Sequence, residues 1–266
     1  MQAVSIGPFI FAGDRLAAIV GIGVFMIVTT ILAVRVDRRF GSWSTLVLVA
    51  GLVAARLGHV IEHAGSFAAE PLRIFAVWQG GFSWAWATIA VAIVSVLYVR
   101  SLRFGLWSAF ALGLSLIAWN TVWQLTTAIP ATPMSATVLE HLDGRRMSLA
   151  EPGHKPVVIN LWATWCPPCR RELPMMAEVA AATNDVAFMF VNQGEGRAAI
   201  EAYLAAAGLS LDGVLLDPLR TVSRHYGTPG LPVTLFIGAD GRLRSAHVGE
   251  ISRETLTNGL SRLKAE

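Results

Sequence analysis

The chain is short of cysteine and short of charge, and each shortage excludes something. Two cysteines, Cys166 and Cys169, stand three positions apart in 266 residues. They permit no disulfide framework and no four-thiolate metal site, and they leave one dithiol. Charged residues make up 15% of the chain, against about 25% in a typical soluble domain. The shortage is local: residues 1–135 hold 8 basic and 4 acidic side chains, whereas residues 136–266 hold 13 and 14. The net charge of +3 arises in the first half, where arginines flank apolar runs, so it does not point to nucleic acid.

Four apolar runs, Leu16–Val34, Ser44–Ile61, Gly80–Val99 and Phe104–Ile129, approach the length of about 20 residues that crosses a bilayer as helix. Trp43, Trp84, Trp86, Trp107 and Trp123 fall near their ends, where amphipathic rings suit headgroups. Asp14 beside Arg15 and the long apolar stretch make the first run a retained helix rather than a cleaved leader. Arg35, Arg38 and Arg39 follow the first run, and Arg100 and Arg103 the third. The second loop offers Arg73 balanced by Glu70. This asymmetry places the N-terminus outside and, with four spans, returns the chain outside. Residues 67–79, with Pro71, read as a short interfacial helix, and Pro130 and Pro133 as a brief linker.

Two features of these runs carry possible chemistry. Arg56 inside the second run is expected to pair with Glu62 or a lipid phosphate, or to snorkel to the interface. His59-Val60-Ile61-Glu62-His63 fits a zinc-type pattern with both imidazoles on one helical face. No third ligand stands out, so no metal is expected.

The second half alternates buried strands and helices. Thr137–Leu142 and Arg146–Leu149 form a hairpin around Asp143-Gly144. Val157–Trp162 is a buried strand, followed by a helix from Pro167 to Ala182. Val186–Asn192, Val214–Asp217 and Val233–Ile237 are further strands, with helices at Arg197–Ala207 and through Tyr226. Asp240-Gly241 turns the chain into Leu243–Val248, and a last helix starts at an N-cap, Ser252. The pattern predicts an α/β fold with a parallel element closed by an antiparallel hairpin.

Trp165-Cys166-Pro167-Pro168-Cys169 joins the buried strand to its helix. Cys166 then sits at a helix N-terminus, where unsatisfied N–H groups favour a thiolate. Neither proline can donate to it, which leaves the N–H of Cys169. Cys169, one turn in, is placed to resolve a mixed disulfide. Leu231-Pro232 opens a buried strand, an unusual place for proline.

Two resemblances follow. Ser5-Ile6-Gly7-Pro8, Ala55-Arg56-Leu57-Gly58-His59-Val60, and Pro71-Leu72 with Val77-Trp78-Gln79-Gly80-Gly81-Phe82-Ser83 resemble the N-terminal half of prolipoprotein diacylglyceryl transferase, over the first 125 residues or so. That family transfers a diacylglyceryl group from phosphatidylglycerol to a lipoprotein cysteine. Its Gly-Gly-x-Ser is followed by an aromatic, a His and two Gly, where this chain has Trp84, Ala85, Trp86 and Ala87. Its Gly-Arg-x-Gly-Asn element reads Leu116-Ile117-Ala118-Trp119-Asn120, with Ile117 in place of a phosphate-holding Arg. The later spans of the family, with a second essential Arg, are absent from the sequence. The half-fold is expected to be an anchor or docking platform.

Val157 to Pro174, Gly230-Leu231-Pro232-Val233-Thr234 and Asp240-Gly241 resemble the TlpA/ResA/CcmG branch of thioredoxin-like proteins, over nearly all of residues 137–266. The resemblance implies a thioredoxin-like fold with a cis Pro232 facing the dithiol. It also implies reduction of disulfides outside the cytoplasm, with apocytochrome c and copper-delivery proteins among the clients. Asn160 stands where cytoplasmic thioredoxins bury an Asp. Glu172 matches the acidic residue of the ResA-like branch and is the candidate for proton handling. Trp165 is expected to shield the pair from water.

The whole is a membrane α-helical domain of four transmembrane helices (1–135) plus an α/β thioredoxin-like domain (136–266). The expected site is Cys166, Cys169, Pro232, Glu172 and Trp165, with no cofactor beyond the redox-active disulfide. The expected location is the bacterial inner membrane, among membrane lipids, with the second domain periplasmic. Because the first half has no cysteine, electrons must come from a separate transmembrane thiol carrier of the DsbD or CcdA kind. The same dithiol run backwards would make an oxidase or isomerase. The sequence also admits a lipid-modifying enzyme of the transferase type and a non-catalytic module that docks clients.

Overall fold

The computed structural model describes residues 3–6, 9–69, 71–127, 132–150, 155–228 and 230–265. Gly7, Pro8, Glu70, Ile129 and Pro130 lie outside the described residues. Two compact units divide the chain: Gly13–Leu125, and Thr126–Glu266 together with Met1–Ala12.

A hairpin not anticipated from sequence, β1 (Ala3–Ile6) and β2 (Phe9–Ala12), precedes the helices. The helical unit contains α1 (Gly13–Arg35), α2 (Arg39–Glu62), α3 (Ala64–Ala69), α4 (Trp84–Tyr98) and α5 (Leu102–Thr127). Three of these, α1, α2 and α5, are long and apolar enough to cross a membrane. The third apolar run is only partly helical: α4 has 15 residues, fewer than the 20 or so a spanning helix needs. Gly80 and Gly81, at φ +78° and +80°, hold a left-handed backbone that delays the helix start to Trp84. The interfacial helix expected at 67–79 is α3 followed by two 3-10 turns, Pro71–Phe75 and Val77–Gln79.

Small residues let these helices approach. A Cβ on Gly58 would stand 2.1 Å from the Trp86 ring, and one on Gly21 would stand 2.9 Å from the Cβ of Trp119. Phe25, Phe40, Trp43 and Phe104 pack as a buried aromatic cluster. Ile19, Ile27, Val49, Ile61, Ile93 and Leu116 are among the large apolar side chains left exposed on the outer faces.

In the second unit one seven-stranded sheet carries everything else. Its strands are β3 (Val138–His141), β4 (Arg146–Ser148), β5 (Val157–Trp162), β6 (Ala187–Gln193), β7 (Val214–Asp217), β8 (Val233–Ile237) and β9 (Leu243–Val248), in the order β4-β3-β7-β6-β5-β8-β9. β7, β6 and β5 are parallel, and β8 and β9 close the sheet antiparallel. The helices are α6 (Pro167–Ala181), α7 (Arg197–Ala207), α8 (Thr221–His225) and α9 (Arg253–Lys264).

All six residues of β5 are buried, as a strand covered on both faces requires. Alternation sorts them: Val158 and Trp162 join the cluster that holds both cysteines and Leu173, while Val157, Ile159 and Leu161 join the opposite one. Each such Val, Ile or Leu contributes about 1.5–3 kcal/mol on burial. Asn160 shares the face of Val158 and so lies under α6. Residues 132–134, read as linker, are instead tied to the β8–β9 turn. Met134 N–H donates to Gly241 O at 2.7 Å and Leu243 N–H to Thr132 O at 3.0 Å, so the chain satisfies its backbone on a sheet edge.

Candidate active site

The site forms where β5 and β6 end and β8 begins. β5 and β6 run parallel with Trp162 opposite Asn192, and β8 runs back with Val233 opposite Leu161. The loop after β5, the loop after β6 and the proline before β8 therefore meet at one end of the sheet.

Cys166 is the N-cap of α6, with Pro167 and Pro168 in the first turn. Proline costs nothing there because its missing N–H would have no partner in the helix. Cys166 Sγ accepts from Cys169 N–H at 3.3 Å, the donor the two prolines leave. The two cysteines form a disulfide with a Cα–Cα separation of 5.3 Å. Cys166 is 3% exposed and Cys169 fully buried.

Trp165 is 59% exposed. Its indole projects mainly into solvent, so the burial of Cys166 comes from the cluster of Val158, Trp162, Ala163 and Leu173. Pro232 is buried and joined to Leu231 by a cis peptide bond. Leu231 packs on the cluster that contains both sulfurs, and Gly249 N–H donates to Pro232 O at 2.9 Å.

Beneath α6 lies a buried polar network. Glu172, 2% exposed, accepts from Asn160 Nδ2 at 2.8 Å and from Ile251 N–H at 2.8 Å. Asn160 Nδ2 also reaches Thr234 Oγ1 at 3.3 Å, across the β5–β8 pair. Burial pushes the Glu172 carboxyl up to about 8, against the pull of those two donors. A carboxyl poised there can hold or release a proton near neutral pH. Arg171, beside it, binds the buried Glu250 through Nε at 2.9 Å and Nη2 at 2.6 Å.

Sequence reasoning missed Glu195. Its carboxylate accepts from Thr164 N–H at 2.7 Å, Thr164 Oγ1 at 2.5 Å and Asn192 Nδ2 at 2.8 Å, fixing the loop two residues before Cys166. The only advance signal was an acidic residue just beyond a buried strand, which is common. Of the five predicted residues, four converge in this region through the fold, while Trp165 stands at its exposed rim.

The helical unit holds a cavity of about 350 Å³, lined by Phe25, Phe82, Ser83, Trp84 and Trp119 among others. No charged side chain is among its described lining. Trp84 packs on Trp119 and Trp119 on Trp123, at ring separations of 5.0 and 5.5 Å.

A dithiol at a helix N-terminus on a thioredoxin-like sheet defines a class, the thiol–disulfide oxidoreductases. The redoxin family profile matches residues 127–261, and the chain belongs to that family. The profile of prolipoprotein diacylglyceryl transferase matches residues 2–120. The thiol-disulfide oxidoreductase ResA of Geobacillus thermodenitrificans is 30% identical over 156 residues, 58% of this chain and 88% of that protein. The thiol:disulfide interchange protein DsbE homolog of Paracoccus denitrificans is 34% identical over 110 residues, 41% of this chain and 59% of that protein. A solved secreted disulfide oxidoreductase of Mycobacterium tuberculosis, homologous to E. coli DsbE, is 25% identical, with a TM-score of 0.44 over 48% of this chain and 96% of that one.

Proposed function

We propose that this chain is a membrane-held, periplasmic protein-disulfide reductase, with residues 1–135 as its membrane domain and 136–266 as its catalytic domain. The observation that carries the proposal is Cys166 at the N-cap of α6, joined to Cys169 above the buried Glu172. In the reduced protein the helix N-terminus favours the Cys166 thiolate. That thiolate attacks a client disulfide, forming a Cys166–client bond and releasing one client thiolate. Cys169, giving its proton to the Glu172 carboxylate, then attacks Cys166 Sγ and releases the second client thiolate. Two electrons pass to the client, and the Cys166–Cys169 disulfide remains.

Pro232 keeps an extended edge beside the sulfurs for the client backbone, and exposed Trp165 forms part of the client contact. Clients are periplasmic proteins with disulfides, apocytochrome c and copper-delivery proteins among them. The helical unit contains no cysteine, so a transmembrane thiol carrier of the DsbD or CcdA kind restores the dithiol. With the short α4 counted as a fourth crossing, the arginine asymmetry supports an outside N-terminus and an outside catalytic domain in the bacterial inner membrane, whereas the three long helices alone would put them on opposite sides.

A Cys169→Ser variant tests the mechanism. It should accumulate client adducts that reductant releases and that vanish when Cys166 is also replaced; no adducts would overturn the proposal. Direction is read from the potential: about −270 mV marks a reductant, whereas about −120 mV would mark an oxidase. Impermeant alkylating reagent should label the reduced pair in spheroplasts, and protection from it would overturn the topology.

A further inference from the structure

We propose that His59, Glu62 and His63 form a binding site for one borderline divalent transition-metal ion, Zn²⁺ or Cu²⁺. His59 and Glu62, at i and i+3, share one face of the last turn of α2, and His63 is the residue that caps it. One ligand atom from each lies within 4.8 Å of the other two. Donors bound about 2 Å from an ion sit roughly 3–4 Å apart, so small side-chain rotations close the triad. Two imidazoles and a carboxylate are the donor set that Zn²⁺ and Cu²⁺ accept. The third ligand, which did not stand out in the sequence, is supplied by the helix as Glu62.

The surrounding hydrogen bonds are of the kind that prepare such ligands. His63 Nδ1 lies 3.0 Å from His59 O. A carbonyl oxygen only accepts, so Nδ1 carries the hydrogen, and in the neutral ring Nε2 keeps its lone pair. Glu62 Oε1 accepts from Ser83 Oγ at 2.8 Å, which orients the carboxylate. The His59 and His63 rings lie 4.3 Å apart, and Phe67 meets His59 edge-on at 6.0 Å. The His59 ring packs directly on Gly81, where a Cβ would come within 2.6 Å of Nε2 and 3.1 Å of Arg56 Nη1. The nearby Arg56 guanidinium opposes a cation and the Glu62 carboxylate favours it, so the site binds more weakly than the same donors would without Arg56.

The test uses the purified full chain in detergent, stripped with chelator and kept oxidised so that the thiols cannot bind metal. Zn²⁺ competed against a chromophoric chelator should bind at one equivalent. His59→Ala and His63→Ala should each weaken it at least tenfold, and Ser83→Ala should weaken it less. Failure to find a saturable equivalent would overturn the proposal, as would one that survives the double histidine variant. Bound Cu²⁺ in the unaltered chain should show electron-paramagnetic hyperfine structure from two imidazole nitrogens. That readout does not depend on the variants folding, and its absence overturns the site.

Discussion

Arg56 in the helical unit and Glu172 in the α/β unit are both nearly removed from solvent, 8% and 2% exposed, yet their neighbours ask opposite things of them. Arg56 donates to Ile74 O at 3.0 Å, Gly80 O at 2.7 Å, Gly81 O at 3.0 Å and Arg73 O at 2.7 Å. All four are main-chain carbonyls, which only accept, and the side chain stitches the first 3-10 turn and the glycine pair to α2. Glu172 receives two N–H donors, but burial outweighs them and its proton stays within reach of neutral pH. Burial of an ionisable group therefore does not by itself mark chemistry. Partners that permit two protonation states do.

The comparison breaks most sharply at the sulfurs. Cys166→Ser should abolish disulfide exchange, a loss of at least about 10³-fold in a turbidimetric insulin assay, because no other thiol can start the attack. Glu172→Gln should slow turnover about 10²-fold at neutral pH, the lower range for a lost proton-transfer group, and should flatten the pH–rate profile near 8.

Stability should follow the same carboxyl. The folded-state value, about 8, is raised above the ordinary value of 4.5. The folded form therefore binds more protons between those limits, and stability falls as pH rises from about 4.5 to about 8. Urea unfolding of the oxidised protein at pH 5 and pH 9 should show the drop, and Glu172→Gln should diminish it.

Arg56→Met should act on folding alone. Leaving buried carbonyls without donors costs about 1–3 kcal/mol each, so the helical unit should melt early in detergent while disulfide exchange persists. The smallest effect sharpens the α/β side. Ser252 Oγ accepts from Thr255 N–H at 3.3 Å as the N-cap of α9, and Ser252→Ala should cost about 1 kcal/mol in urea unfolding.

Local signals were legible where the physics is local. The apolar run 157–162 read as a strand because a sheet covered on both faces needs no polar alternation, and Ser252 read as a cap because its side chain serves its own helix. Pro232 stood out because a buried strand rarely begins with proline. What escaped depends on distant segments meeting. Glu195 reaches Thr164 only because β5 and β6 are parallel neighbours, and residues 132–134 find their partners a hundred positions away. Arg56 could be flagged as costly, but the carbonyls that satisfy it belong to turns whose shape the sequence leaves open. The helical pattern likewise overran the start of α4, where two glycines adopt a backbone that few other residues tolerate.

The pair of prolines after Cys166 strips the helix entrance to a single main-chain donor, and that donor belongs to Cys169. The residue that steadies the attacking sulfur is thus the one that must later strike it. A client that pulls the sulfur outward loosens its tether to the amide of its successor. How long a captured client stays attached then depends on how closely it lets these two residues remain together.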